Sequence, residues 1–163
     1  MKISTRSVTM KISYMSFGIL PIGMILLLSG CFGPEPQPLP QYTPKALEAQ
    51  GKGITIAKST PYNCVILGEV EGKDNVGNTR GVTRELLREG ALNDLKNEAG
   101  NVVTGGKRIM LSITKEQVTC VAKLQGETNA RSVDCTDGAP HGTISAALQS
   151  HRIHAQVFEC GNK

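Results

Sequence analysis

The chain has 163 residues, a formal net charge of +4, only 4% aromatic residues and no Trp. Stacking platforms for bases or sugars are therefore scarce. The charge belongs to the N-terminus: Lys2, Arg6 and Lys11 fall in the first 30 residues with no acidic partner, and the remaining 133 residues carry 15 basic against 14 acidic side chains. A near-neutral remainder lacks the basic footprint of a nucleic-acid binder.

The apolar run Ile22-Gly23-Met24-Ile25-Leu26-Leu27-Leu28 ends in Leu28-Ser29-Gly30-Cys31. It is too short for a bilayer of about 30 Å, which needs about 20 apolar residues, and Pro21 and Gly23 interrupt it. A basic start, a short hydrophobic segment and small residues before a cysteine describe a bacterial lipoprotein signal peptide over residues 1–30. Cys31 is then the lipidation site, carrying diacylglycerol on sulfur and fatty acyl chains such as palmitate, and the membrane is the expected partner. Met1-Lys2-Ile3-Ser4 repeats as Met10-Lys11-Ile12-Ser13, so Met10 is an alternative start. Phe32 stands where an Asp favours inner-membrane retention, which tilts the expectation toward the outer membrane.

Residues 31–53 read as a tether. The stretch from Phe32 to Pro44 holds five of the eight prolines, and proline fixes φ and removes backbone donors. The expectation is a semi-rigid spacer rising about 3.1 Å per residue where polyproline-like, with a transient helical turn over 45–50. Residues 54–163 form the expected folded domain. Ile54-Thr55-Ile56-Ala57 alternates as a first strand. The run from Cys64 to Val70 is apolar on both parities, which predicts a central strand, and a loop is expected from Gly72 to Gly77. A helix is predicted over 80–99: Leu87, Ala91 and Leu95 recur at i, i+4 and i+8, Arg84, Glu85, Arg88 and Glu89 face solvent, and Gly100 caps the end. Gly90 costs about 1 kcal/mol of helix propensity and predicts close approach to the sheet. Further strand segments follow at 108–113 and 118–124, with Cys120 inward. Residues 125–143, with Cys135, read as a long polar loop, and the last strand covers 153–160. The sum is one small α+β domain, a mostly antiparallel sheet with one helix on one face.

Chemistry-bearing motifs are sparse. His151 and His154 fall on opposite faces of a strand, which disfavours a shared metal. The run Gly100 to Arg108 superficially resembles a phosphate loop, but the spacing is off by one and Arg108 replaces the magnesium-holding hydroxyl. No Gly-x-Ser-x-Gly elbow occurs. Glu69 and Glu71 share a strand face, as solvated carboxylates often do. Arg80, Arg84, Arg88 and Lys73 form a basic patch diluted by Glu85 and Glu89. With Cys31 lipidated, Cys64, Cys120, Cys135 and Cys160 remain, an even number that reads as two disulfides in an exported protein. Three connectivities are open, and no Cys-x-x-Cys motif favours a redox or zinc site.

Three segments in order, Asn63 to Lys73, Gly90 to Val103 and Gln156 to Cys160, resemble a family of small uncharacterised bacterial lipoproteins carrying a domain of unknown function. That family in turn is similar in fold, more remotely, to the RcsF envelope stress-sensor lipoproteins. The resemblance implies that Cys64 pairs with Cys160, tying the second strand to the last, which leaves Cys120 with Cys135. No metal, cofactor or catalytic residue is expected. The expected function is a non-enzymatic interaction or envelope-sensing lipoprotein with an unidentified envelope protein partner. The alternative is a small-ligand or metal-binding lipoprotein using 125–143 and its histidines.

Overall fold

The computed structural model describes residues 37–103 and 108–161; the signal segment and Cys31 lie outside these. In chain order the elements are β1 (Thr55–Ile56), β2 (Val65–Asn75), α1 (Arg84–Val102), β3 (Ile109–Leu124), β4 (Arg131–Asp134) and β5 (Thr143–Glu159). One sheet runs β1-β3-β5-β2, with β4 on the outer edge of β3. Only β1 pairs in parallel; the other pairings are antiparallel. The α+β architecture with one helix over a mostly antiparallel sheet is as the sequence predicts.

The strands are longer than their apolar patterns. The segments expected at 108–113 and 118–124 are one strand, β3, kept continuous through the turn-like Thr114 by a register shift between Ile113 and Lys115. β5 begins at Thr143 rather than near 153 because its first half, Ile144-Ser145-Ala146-Ala147, is solvent-exposed and shows no inside–outside contrast. β2 continues through Gly72, Lys73, Asp74 and Asn75, where a loop was expected, each paired to β5. It is also an edge strand, pairing with β5 alone, not the central strand its composition predicts.

The helix starts later than predicted, at Arg84, where the Thr83 hydroxyl accepts from the Leu86 amide as an N-cap. Leu87, Ala91, Leu95 and Ala99 form its fully buried stripe, and all but Leu87 pack with Ile54, Ile109, Leu111, Ile153, Ala155 and Val157 of the sheet and its approach. Gly72 sits beneath the helix: a Cβ there would collide with the Ala91 carbonyl and the Leu95 amide. Gly100 lies inside α1 rather than capping it, and its missing side chain makes room for the Gln50 carbonyl.

That carbonyl belongs to the stretch expected to be a spacer. Residues 41–53 instead pack as a strap along the helix. Tyr42 donates to Arg80 O from its amide, which pins the entry to the start of the helix. Asn97 accepts from Glu48 N and donates to Ala46 O, and Asn93 donates to Lys45 O. A short 3-10 turn, Ala49–Gly51, closes the strap over the end of the helix. Proline forbids a regular ladder but not side-chain-mediated docking, so a proline-rich approach can still dock in this way.

A second apolar cluster, Val118, Cys120, Ala122, Val133 and Cys135 with Leu148, lies in the lower half of the sheet, where β4, β3 and β5 meet. Two disulfides join the elements: Cys64–Cys160, spanning 96 residues with Cα atoms 4.3 Å apart, and Cys120–Cys135, spanning 15 with Cα atoms 5.9 Å apart. The first closes the upper end of the β2–β5 pair and the second holds the chain after β4 against β3. In the chain-entropy estimate these loops contribute about 4.7 and about 3 kcal/mol. Cys64→Ala/Cys160→Ala should lower unfolding stability by about 4–5 kcal/mol in urea titration; a loss below about 1 kcal/mol would show that the constraint is not entropic.

Candidate functional site: a buried polar belt and an open apolar edge

Between the two apolar clusters, on the helix side of the sheet, runs a belt of polar side chains. Asp74 on β2 and His151 on β5 are register partners, and His151 is also opposite Val118 of β3. They are 5% and 2% exposed. Asp74 Oδ2 accepts from the Tyr42 hydroxyl at 2.6 Å and the Lys45 amide at 3.1 Å, while Oδ1 accepts from the Asn75 amide at 2.8 Å. The same carboxylate lies where a Cβ of Gly90 would be, so only glycine admits it against the helix. A buried carboxylate is tolerable only with such donors.

His151 Nε2 lies 3.1 Å from Glu116 Oε2, and Arg88 grips Glu116 with Nε at 2.9 Å and a second guanidinium nitrogen. The planar fork suits this two-point contact. Arg84 donates to the carbonyls of Cys135 and Thr136, linking the helix start to the disulfide-bearing turn. These contacts use two of the arginines expected to face solvent. Burial holds the His151 imidazole below its usual range against the opposing pull of Glu116, and Arg88 and Arg84 push the same way as burial. The Arg88 hydrogen bond holds Glu116 below the usual carboxylate range. Burial, then the Asp74 hydrogen bond, raises the Tyr42 phenol. With Nε2–H directed at Glu116, Nδ1 is a bare acceptor, and it is buried without a hydrogen-bond partner among the described residues. A histidine oriented by a carboxylate is half of a nucleophile-activating arrangement. Here the free nitrogen faces closed interior rather than a cleft, so the belt serves as a joint between strap, helix and sheet.

The second feature is surface. Val65, Ile66 and Leu67 of β2 are 64%, 58% and 46% exposed, Tyr62 beside them is 89% exposed, and Val102 at the helix end is 66% exposed. Leu67 and Val102 line one shallow pocket with Val103 and Val157. A second depression brings Tyr62 together with Lys58, Arg108 and Met110. The backbone edge of β2 is partly closed: Asp94 accepts from the Lys73 amide at 2.8 Å, and a register shift interrupts the strand between Ile66 and Gly68.

A domain of unknown function, DUF4156, matches residues 45–160. The chain belongs to this family. No curated protein and no solved structure matches it. The DUF4156 match takes in both disulfides, the belt apart from Tyr42, and most of the strap, so the strap is part of the domain rather than a linker before it.

Of the residues singled out from sequence, Cys31 lies outside the described residues. Cys64 and Cys160 are bonded, as are Cys120 and Cys135, the pairs the resemblance implied. His154 lies on the face away from the helix, 3.7 Å from Glu71, which also pairs with Arg152 at 3.1 Å. His141 is exposed in the turn before β5. The described residues contain no group of three metal-capable side chains. Sequence reasoning missed the belt because Tyr42, Asp74, Glu116 and His151 are far apart in the chain. The parity of His151 with Ile153, Ala155 and Val157 was the available signal.

Two outcomes are expected. Tyr42→Phe leaves the buried Asp74 carboxylate one donor short and should cost about 1–3 kcal/mol in urea unfolding. Because the unfolded state binds a proton at His151 more readily than the folded one, stability is full above the ordinary histidine range and falls as pH drops below about 6.5. The groups facing it are Glu116, Asp74, Arg84 and Arg88, with Tyr42 beyond Asp74. The melting temperature should therefore drop between about pH 7 and pH 5, and His151→Gln should flatten that slope; a flat wild-type profile would refute the assignment.

Proposed function

We propose that this DUF4156 chain is a non-enzymatic interaction or sensing module of the bacterial cell envelope, anchored by lipid on Cys31, at the outer rather than the inner membrane. The membership of the family among bacterial lipoproteins, distantly akin to RcsF in fold, belongs to the same proposal. The observation that carries it is the apolar surface left on β2, beside Tyr62 and Val102, in a domain whose cores are otherwise covered. Contiguous exposed apolar side chains mark contact surfaces in stable small domains. The two disulfides fit an oxidising compartment outside the cytoplasm. Among the described residues no helix is long and apolar enough to cross a membrane; in this reading the cysteine that closes the signal segment carries the attachment.

Cys31→Ala should abolish lipid attachment. Expressed in a Gram-negative host and fractionated, the variant should move from the membrane to the soluble or uncleaved pool, while the parent chain should carry the mass of a diacylglycerol-modified cysteine. A parent chain found soluble and unmodified would overturn the reading.

A further inference from the structure

We propose that Cys64–Cys160 is a thiol–disulfide exchange site, opened by a dithiol protein of the Cys-x-x-Cys class, and that its opening releases the first residues of β2. The inference deepens the sensing reading and rests on it: the bond is the sensor and the freed strand end is the signal.

The two disulfides stand in opposite surroundings. Cys120 and Cys135 are 5% and 1% exposed, inside the apolar cluster with Val118, Ala122, Val133 and Leu148. An attacking thiolate finds neither access nor solvation there, and such cysteines are inert. Cys64 and Cys160 are both partly exposed and line the open depression that holds Lys58, Tyr62, Arg108 and Met110. Lys58 and Arg108 are exposed, and among the described residues no acidic side chain lines this depression. Two cations without a neighbouring acid draw in an attacking thiolate and stabilise the one that leaves.

The exchange balances in two steps. The partner's first thiolate bonds to Cys64 Sγ as the Cys64–Cys160 bond breaks, and the electron pair leaves on Cys160 Sγ, which takes a proton from water. The partner's second thiolate then attacks its own sulfur in the mixed disulfide, and Cys64 leaves and is protonated. The chain gains two electrons and two protons, and the partner is left as its disulfide. Cys64 is the sulfur attacked because exposed Tyr62, Asn63 and Val65 flank it. Cys160 follows the buried Phe158 by two residues, and its amide donates to Arg108 O at 2.9 Å, which keeps the leaving group alongside that cation.

The fold gives the opening a local consequence. Val65 and Ile66 pair with Glu159 and Phe158, and a register shift separates them from the ladder that resumes at Gly68. The helix holds β2 further along, over Gly72 and through Asp94 on the Lys73 amide. The strand end is thus kept by two ladder positions and one covalent bond. Without the bond, a short edge segment of exposed residues frays, and Phe158, 3% exposed and the register partner of Ile66, loses that neighbour.

The probe is thioredoxin with its second active-site cysteine replaced by serine, incubated with the full chain purified in detergent under native conditions. The expected result is a mixed disulfide that mass spectrometry maps to Cys64, formed at least about ten-fold faster than any at Cys120 or Cys135. Lys58→Glu/Arg108→Glu should slow it several-fold. With unaltered reduced thioredoxin, deuterium uptake should rise over residues 57–67 while α1 keeps its protection. Capture first at Cys120 or Cys135, capture only in denaturant that unfolds the whole domain, or a rate indifferent to the charge reversal overturns the inference. Reduction that leaves uptake over 57–67 unchanged overturns the release of β2. A lipidated chain that resists exchange leaves the anchor reading standing, whereas exchange at Cys64 in a chain without lipid overturns the anchor and keeps the site.

Discussion

The Asp74 carboxylate is the constraint on which the rest of the domain depends. It is buried, and a buried carboxylate must collect donors or cost several kcal/mol. Its donors come from three places: the Tyr42 hydroxyl, the Lys45 amide and the amide of its own neighbour Asn75. The first two are on the strap, so satisfying the charge requires the strap to be docked. The charge also needs space at the helix, which Gly90 provides by lacking a Cβ. Helix, strap and edge strand are thus fixed relative to one another by one side chain. The pair Lys45–Asp94, at 2.9 Å, reinforces the same contact but is half exposed and contributes correspondingly little.

The belt around Asp74 also explains why the domain has two apolar clusters. The helix covers the sheet only where its small residues allow close approach, over Gly72 and the stripe Ala91, Leu95, Ala99. Below that, β3 and β5 run on past the start of the helix with only short β4 beside them. The second cluster there is small, and Cys120–Cys135 closes it where hydrophobic area alone is thin. Arg84 bridges the two regions by reaching from the first turn of the helix to the Cys135 and Thr136 carbonyls. The charges of the first helical turns therefore act as fasteners between two cores.

How much of this was readable from residues alone follows from the range of each interaction. The helix stripe, the inward Cys120 and the alternation of 153–157 are local periodicities, and each stands where the pattern puts it. The α+β class follows from them. The strap was not readable, because its docking is made by Asn93, Asn97 and Asp74, whose relevance depends on positions up to 51 residues away. Proline-rich composition describes only what the backbone cannot do. The first half of β5 is hidden for a different reason: Ile144, Ser145, Ala146 and Ala147 are all exposed, so there is no contrast for a period-two signal to show.

The β2 segment shows where such reading has a real ambiguity. A strand apolar on both parities is buried on both faces in a parallel sheet, and that inference placed it in the centre. Here the same composition sits at an edge, with Val65, Ile66 and Leu67 open to solvent. Apolarity without burial is costly to keep in a small domain, since it promotes association through the unpaired edge. The domain answers by blocking the backbone, with Asp94 on Lys73 and the offset at Ile66 and Gly68, while leaving the side chains in place.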